Sequence, residues 1–304
     1  MAARRKPFRI SLPATSANLG PAFDAAALAM DFYISVDARP AEKFSIRAIG
    51  RDRQTCERME DNLILSTYRE VLTDSRREII PVALRIRNDI PIGKGCGSSA
   101  AARLAGIAMA SHFGGLRWSD VQIVGEASRR EHHPDNASAC WFGGLTVARM
   151  ASDTEAEVAC IRPRGNWPLL LAIPDAALST EAARRVLPAS YSRADAVANI
   201  QNSMLLLAAF TLGRRDLLRS ALEDRIHQPY RASLCPLLPA LKELSGSDGI
   251  LGAALSGAGP SILIFVDPKH SVAKVRKVCA QHLSAHGLKA DLLATRIARR
   301  SIRG

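Results

Sequence analysis

The chain has 304 residues, of which 47% are hydrophobic and 23% are charged. This composition is typical of a soluble globular protein and excludes a disordered, collagen-like or coiled-coil chain. The length predicts two domains and allows a substantial core without disulfide or metal support. Lysine and arginine total 41 against 29 acids, which gives a net charge of +12.

The excess positive charge lies mainly at the two ends of the chain. Four cations precede the first acid, Asp24, and four follow the last acid, Asp291: Arg4, Arg5, Lys6 and Arg9, then Arg296, Arg299, Arg300 and Arg303. A nucleic-acid site would need aromatic residues interleaved with these cations, and only Phe8 lies among them. We therefore expect solvated basic ends and no nucleic-acid partner.

Export and membrane insertion are not indicated by the sequence. Pro7, Arg9 and Ser11 interrupt any apolar signal core at the N-terminus, and the apolar stretch 204–212 is too short to span a bilayer. No two of the six cysteines lie within four residues of each other, which excludes a zinc ribbon or a CxxC redox pair. Free thiols in a reducing cytoplasm, with no membrane partner, are the simplest expectation.

In the first half of the chain, the sequence predicts strand 8–12, ended by Pro13, and a loop over 13–24. An apolar stretch (25–30) and strand 82–87 follow. A glycine-rich loop then leads into a helix capped by Ser98 or Ser99. Helix 120–130 and strand 145–147 complete this half.

In the second half, mixed polar composition over 151–166 suggests a domain boundary. Beyond it, the patterns predict strand 167–173, helices 195–212 and 215–222, strand 262–266, helix 272–286 and strand 290–294. This mixed order of helices and strands indicates an α+β or α/β fold.

The glycine-rich loop is the strongest single sign of chemistry. In PIGKGCGSSAA (residues 91–101), glycines allow several N–H groups to converge, and a helix start adds unsatisfied N–H groups and partial positive charge. Lys94 is followed by Gly95, so this is not a Walker A loop, and the glycine spacing does not fit a dinucleotide fingerprint. The loop predicts a phosphate site, and taken alone it would equally suit a tight turn.

This loop resembles the second motif of the GHMP kinases, PxxxGLGSSAA, with Cys96 in place of leucine. PATSANLGPAFD (residues 13–24) is similar to the first motif of the homoserine kinases within that superfamily, with Ala22 in place of glycine, and LSGAGPS (255–261) is similar to the third. HPDN (133–136) followed by Gly143 and Gly144, and DRIHQPYR (224–231), also resemble homoserine kinases. The matches keep the family order and span most of the chain.

The resemblance implies an α+β, two-domain GHMP kinase fold. Residues 1–155 would form an ATP-binding domain like domain 2 of ribosomal protein S5, and residues 165–304 a ferredoxin-like domain. ATP would bind along the loop formed by Pro91, Ile92, Gly93, Lys94, Gly95, Cys96, Gly97, Ser98, Ser99, Ala100 and Ala101.

The resemblance also implies roles for individual residues. Ser99 and Glu126 would hold Mg²⁺, with Glu131 as a competing ligand, since Mg²⁺ prefers hard oxygen donors. Asp135 would be catalytic, although phosphoryl transfer can proceed by positioning and charge neutralisation alone. His132 and His133 are expected to be structural. The amino-acid substrate would be held by Asn18, Asp24, Asn136, Arg184, Arg231 and Gly257.

The expected activity is ATP-dependent phosphorylation of the side-chain hydroxyl of L-homoserine, a step towards threonine. Ala22 and Ala27 replace family glycines and would narrow the substrate pocket, and FYIS (32–35) replaces a segment close to the nucleotide. Two alternatives therefore stay open: a kinase for another small hydroxy amino acid such as threonine, and a catalytically silent protein of this fold. The oligomeric state is also open, with a homodimer as one option.

Overall fold

The computed structural model describes residues 6–299 and 302–303. A larger sheet has strand order β11-β1-β2-β4-β3, with β5 pairing to both β2 and β6, and β3–β4 is its parallel pair. A smaller antiparallel sheet has the order β10-β7-β9-β8. The larger sheet comprises β1 (Phe8–Ala17), β2 (Ala26–Pro40), β3 (Ser45–Gly50), β4 (Val82–Asn88), β5 (Leu145–Met150), β6 (Ala156–Ile161) and β11 (Ile302–Arg303), and the smaller comprises β7 (Pro168–Ile173), β8 (Ile250–Leu255), β9 (Ile262–Val266) and β10 (Asp291–Arg296).

Eleven α-helices are described over these residues, with short 3₁₀ turns at Arg215–Leu217 and Ala232–Leu234. Those between strands of the larger sheet are α1 (Arg53–Glu57), α2 (Leu63–Asp74), α3 (Ser98–Gly114), α4 (Asp120–Glu131) and α5 (Asp135–Phe142). Those that follow β7 are α6 (Thr180–Arg185), α7 (Arg193–Leu212), α8 (Leu218–Ala221), α9 (Gln228–Arg231), α10 (Leu237–Glu243) and α11 (Val272–Ala285). None of the helices described here is long and apolar enough to cross a membrane.

The hydrophobic core is continuous across the two sheets because β7 buries both of its faces. Leu169 and Leu171 belong to the large cluster that also contains Leu12 and Leu28 of the larger sheet. Leu170 points the other way and packs in a second cluster under α10 and α11, as the two-residue period of a strand requires. The predicted α+β class is confirmed, and the smaller sheet has the β-α-β-β-α-β order of ferredoxin-like folds.

The predicted end of the first strand at Pro13 is wrong. β1 continues to Ala17 and pairs with β2 on both sides of a register shift between Pro13 and Ala14. The shift lets the strand pass a residue without an N–H group, since such irregularities are where a sheet admits proline. The first loop is therefore confined to residues 18–25, so that the motif begins on a rigid strand.

The proposed division at residues 151–166 contains β6, which belongs to the larger sheet, and the chain enters the smaller sheet at β7. β11, however, returns to the larger sheet and pairs with β1. Among the basic end residues, Arg9 pairs with Asp37 at 2.8 Å and Arg296 with Asp31 at 2.6 Å. Arg4, Arg5 and Arg300 lie outside the described residues.

Candidate active site

A cavity of about 400 Å³ takes its walls from both halves of the chain. Its lining includes residues of the phosphate loop together with Arg184, Arg231 and Gly257. A concave pocket with a few convergent polar groups is the usual form of a small-molecule site. All six residues predicted to hold the substrate line this cavity: Asn18, Asp24, Asn136, Arg184, Arg231 and Gly257.

The phosphate loop presents backbone, not side chains, at the start of α3. The N-cap is Gly97 in the left-handed conformation, and none of the described side chains caps this helix, so the predicted serine caps at Ser98 or Ser99 are wrong. The first N–H groups of the helix thus lack a side-chain cap, which together with the helix dipole favours an anion. Gly95 (φ +74°) is required by close approach, because a Cβ there would lie 2.1 Å from the Ser256 carbonyl oxygen.

Eight of the eleven loop residues line the cavity: Ile92, Gly93, Gly95, Cys96, Gly97, Ser98, Ser99 and Ala100. Pro91, Lys94 and Ala101 lie outside its lining. Lys94 extends away and donates hydrogen bonds to the backbone carbonyls of Pro174, at 3.0 Å, and of Asp175. Its ammonium group therefore ties the loop to the segment that follows β7.

The carboxylate beside Ser99 is Glu131. The Ser99 hydroxyl donates to Glu131 Oε1 at 2.6 Å, and Arg103 Nε donates to the same oxygen at 2.6 Å. The Glu131 side chain is only 12% exposed and lines the cavity. A hydroxyl and a carboxylate are the hard oxygen donors that suit Mg²⁺.

Glu126 is placed elsewhere, which corrects its predicted pairing with Ser99. It accepts hydrogen bonds from Arg129 and Arg130, and Arg130 also binds Asp74 at 3.0 Å and Glu70. Burial raises the pKa of Glu126, but the two guanidinium groups outweigh it and lower the pKa overall. Glu126 and Glu131 are five residues apart on α4, about 140° around the helix, so they cannot face the same site.

The substrate end of the cavity contains an internal ion pair. Arg184 Nη2 lies 2.7 Å and 2.9 Å from the two carboxylate oxygens of Asp24. Asp24 has φ +54° and is held by the Asn18 side chain, which accepts from the Asp24 N–H at 2.9 Å and donates to the Gly257 carbonyl at 2.8 Å. The first and third motifs are thereby joined directly at the site.

The pKa of the Asp24 carboxyl is raised above its ordinary value. Burial and the neighbouring Asp135 carboxylate raise its pKa, and Arg184 and His133 counteract this only in part. Raised pKa values of this origin are common at functional sites. An ammonium group of a ligand would supply a further positive charge next to Asp24 and favour its ionised form.

Arg231 is 1% exposed and is fixed by two contacts. Its Nε donates to the Ala183 carbonyl at 2.9 Å, and its Nη1 lies 3.1 Å from His227 Nδ1. His227 Nε2 donates to the Gly20 carbonyl at 2.7 Å, so Nδ1 is the acceptor. Burial, only partly offset by Asp224, lowers the pKa of His227 to about 4. A neutral His227 thus orients Arg231 towards the cavity without adding charge.

The short α9 helix that carries Arg231 is anchored by its own sequence motif. Asp224 accepts from the backbone N–H groups of Ile226, His227 and Gln228 at 2.8, 3.0 and 2.6 Å. Gln228 then accepts from the N–H of Leu255, the first residue of the third motif, at 2.8 Å. The DRIHQPYR segment is therefore a support for one arginine.

Asp135 lies at the base of the cavity and is 1% exposed. Its Oδ1 accepts from His133 Nδ1 at 2.6 Å and from the backbone N–H of Asn136 at 2.6 Å. The Asn136 amide oxygen accepts from the Thr15 hydroxyl at 2.6 Å. Burial lowers the pKa of His133, but Asp135 and Asp24 raise it more, so that the net shift is upward. The sequence predicts a structural role for His133, yet its side chain lines the cavity.

Apart from Ile92 of the phosphate loop, the sequence did not identify the apolar wall of the cavity. It is made by isoleucines from β2, α2 and β4 and the loop after it: Ile34, Ile64, Ile86, Ile90 and Ile92. Isolated isoleucines in strands give no signal that separates a ligand wall from a core. Neither Ala22 nor Ala27, both described, lines this cavity, so the expected narrowing at these positions is wrong.

Family comparisons agree with this geometry. The model of the GHMP kinase N-terminal domain matches residues 62–144, and that of the GHMP kinase C-terminal domain matches residues 206–285. A homoserine kinase of Solibacter usitatus is 42% identical over 267 residues, covering 88% of each chain. One from Deinococcus radiodurans is 34% identical over 293 residues, covering 96% of this chain and 95% of the relative.

Solved structures share the fold over its full length. The crystal structure of homoserine kinase from Cytophaga hutchinsonii superposes with a TM-score of 0.83 at 23% identity and covers 99% of both chains. Mevalonate diphosphate decarboxylase from Staphylococcus aureus gives 0.68 at 13% identity and covers 98% of both. The chain belongs to the GHMP kinase family and, within it, to the homoserine kinases.

Proposed function

We propose that this protein transfers the γ-phosphoryl group of ATP to the side-chain hydroxyl of L-homoserine and forms O-phospho-L-homoserine. The observation that carries the proposal is the Asp24–Arg184 pair beside Arg231, in the same cavity as the glycine loop. One acid and two arginines match an ammonium group and a carboxylate, which a sugar substrate lacks. The names of the curated relatives support homoserine as that amino acid.

The ATP phosphates would lie on the loop amides at the start of α3, and the adenine on the isoleucine wall. Ser99 and Glu131 are the residues that would hold Mg²⁺, which neutralises phosphate charge when bound. The substrate oxygen would attack the γ-phosphorus in line, forming the new P–O bond as the bond to the β-phosphate oxygen breaks. The hydroxyl proton passes to water, and ADP leaves as the second product.

Asp135 would act as a positioning residue in this reaction. Its Oδ1 already accepts hydrogen bonds from His133 and from both nitrogens of Asn136, so the lone pairs of that oxygen are occupied. Through Asn136 it fixes an amide at the centre of the cavity. This assignment leaves charge neutralisation by the loop and the metal as the main source of rate enhancement.

The proposal is tested by supplying purified protein with Mg-ATP and a panel of hydroxy amino acids while ADP release is followed. Homoserine should give the highest kcat/KM, and ³¹P NMR should show a phosphate monoester. Threonine turnover without homoserine turnover would change the substrate assignment. Absence of turnover on every acceptor, in protein shown to bind ATP, would reject the kinase proposal.

A further inference from the structure

A cluster of two histidines and one glutamate lies outside the cavity described above. Glu243 is the last residue of α10, His282 lies in the last turn of α11, and His286 follows the end of α11. The two helices pack against each other beside the smaller sheet. Residues four apart on a helix share one face, so the two imidazoles point to the same side.

The spacing of the three side chains fits a metal site better than a set of hydrogen bonds. Glu243 Oε2 lies 3.3 Å from His282 Nε2 and 3.6 Å from His286 Nε2, and the ligand atoms are all within 4.8 Å of one another. Ligands bound about 2.1 Å from a tetrahedral ion are about 3.4 Å apart. Direct charge-assisted hydrogen bonds would be about 2.8 Å.

The tautomer of one histidine is already set for a metal. His286 Nδ1 lies 2.9 Å from the His282 carbonyl oxygen, which can only accept, so Nδ1 carries the proton and Nε2 has a free lone pair. His282 Nε2 instead donates to the Ala240 carbonyl at 2.9 Å. A metal ion bound to His282 Nε2 would replace the hydrogen bond to the Ala240 carbonyl.

The electrostatic setting also favours a cation. Both α10 and α11 end at the cluster, and the dipole of a helix places partial negative charge at its C-terminus. Two imidazole nitrogens and one carboxylate select borderline ions such as Zn²⁺, Co²⁺ or Ni²⁺, whereas Mg²⁺ prefers oxygen ligands alone. The site would therefore not compete for the metal that accompanies ATP.

We propose that Glu243, His282 and His286 bind one divalent transition-metal ion of the Zn²⁺ class, with the fourth coordination position open to water. The ion links the ends of α10 and α11 and stabilises the smaller sheet's helical layer. This site is independent of the phosphotransfer chemistry, and its test needs no turnover measurement.

The test uses untagged, full-length protein stripped of metal and titrated with Co²⁺ and then Zn²⁺. We expect one equivalent of Co²⁺ to give the intense visible bands of a tetrahedral ion, which Zn²⁺ then abolishes. Glu243→Gln, His282→Gln and His286→Gln should each weaken binding at least ~10-fold. His270→Gln, which removes a histidine paired only loosely with Asp267 at 3.9 Å, should not change it.

Thermal unfolding gives an independent measurement. A ~100-fold excess of Zn²⁺ over its Kd should raise the wild-type Tm by roughly 5 °C, and the Tm of Glu243→Gln should not respond. Circular dichroism of the metal-free variants checks that they fold. Binding that survives all three substitutions would overturn the proposal. So would binding lost in His133→Gln instead, because His133, Asp24 and Asp135 form the other candidate cluster described.

Discussion

The two ends of the cavity are built on different principles. At the end proposed to bind the nucleotide, the groups available are backbone amides at the start of α3, where Gly97 is the N-cap without a side-chain hydrogen bond. At the end proposed to bind the amino acid, the groups are charged side chains, and two of them already form an ion pair, in which Arg184 contacts both carboxylate oxygens of Asp24. The first end depends on backbone geometry. The second depends on the charges of a ligand replacing the internal ion pair.

This difference determines which substitutions should impair binding at each end. Backbone amides cannot be substituted, so the nucleotide end is sensitive to glycine positions and insensitive to most side-chain changes. The amino-acid end holds an ion pair that a zwitterion can replace, because its ammonium and carboxylate supply both missing partners. A ligand with only one of these charges would leave either Asp24 or Arg184 without a partner, at a cost.

The largest expected effect is at Gly95. Gly95→Ala places a methyl group 2.1 Å from the Ser256 carbonyl oxygen, at φ +74°, so the loop must shift. We expect kcat/KM to fall about 1,000-fold, the scale of losing preorganised backbone donors. Gly115→Ala is the matched control, because Gly115 has φ +64° but a methyl group there would meet nothing within 4 Å. It should cost about 1 kcal/mol of unfolding free energy and leave kinetics unchanged.

A smaller effect is expected at the acid next to Ser99, where the nucleotide end uses a side chain. Glu131→Gln should lower kcat about 100-fold and raise the Mg²⁺ concentration for half-maximal activity, because a carboxylate ligand is lost. Glu126→Gln should keep the Mg²⁺ dependence of the wild type, since Glu126 is held by Arg129 and Arg130. An equal loss of activity in both variants would remove Glu131 from the proposed metal site.

The sequence predicted the glycine loop at the start of a helix correctly, but it did not predict which acid lies beside Ser99. Glycine spacing and a helix start predict a phosphate loop because they act locally along the chain. The choice between Glu126 and Glu131 depends on the rotation of α4 relative to α3, which no local pattern reports. The structure places the Arg130 network on one face of α4 and Ser99 opposite the other.

Contacts between residues that are distant in the sequence explain the other differences between the predictions and the structure. The extension of β1 past Pro13 depends on pairing with β2, from Ala14 with Met30 to Ala17 with Ala27, and a pattern confined to residues 13–17 does not report that pairing. In the sequence, His133 is an ordinary histidine next to His132, and its place in the cavity follows only from its 2.6 Å contact with the buried Asp135. Conversely, the gathering of the six proposed substrate residues in one cavity was predictable, because most of them lie in short motifs that follow the family order.

The amino-acid end is tested at the arginine that has no ion-pair partner among the described residues, Arg231. Arg231→Gln should raise the KM for homoserine about 10- to 100-fold, the value of a charge-assisted hydrogen bond, and leave the KM for ATP unchanged. Arg185→Gln is the control, because Arg185 pairs with Glu181 on the surface at 2.9 Å. An unchanged homoserine KM in Arg231→Gln, with folding verified, would contradict carboxylate binding there.

The smallest expected effect is on the pH dependence of stability, and it arises from His227, the buried residue that orients Arg231. His227 has a pKa of about 4 in the folded protein, chiefly because burial penalises its charged form, against about 6.5 when unfolded. Between these values the unfolded state binds the extra proton and the folded state does not, so stability falls as the pH falls from 6.5 towards 4. From pH 7 to 5, His227 should remove about 2 kcal/mol of unfolding free energy.

His227→Gln should remove that part of the pH dependence, because glutamine does not titrate while its amide can still donate and accept hydrogen bonds. Urea unfolding of both proteins at pH 7 and pH 5 measures the difference. If the two proteins lose the same free energy on acidification, His227 is not neutral in the folded state. Arg231 would then be oriented next to a positive charge, and the amino-acid end would hold three cations against Asp24 and Asp224.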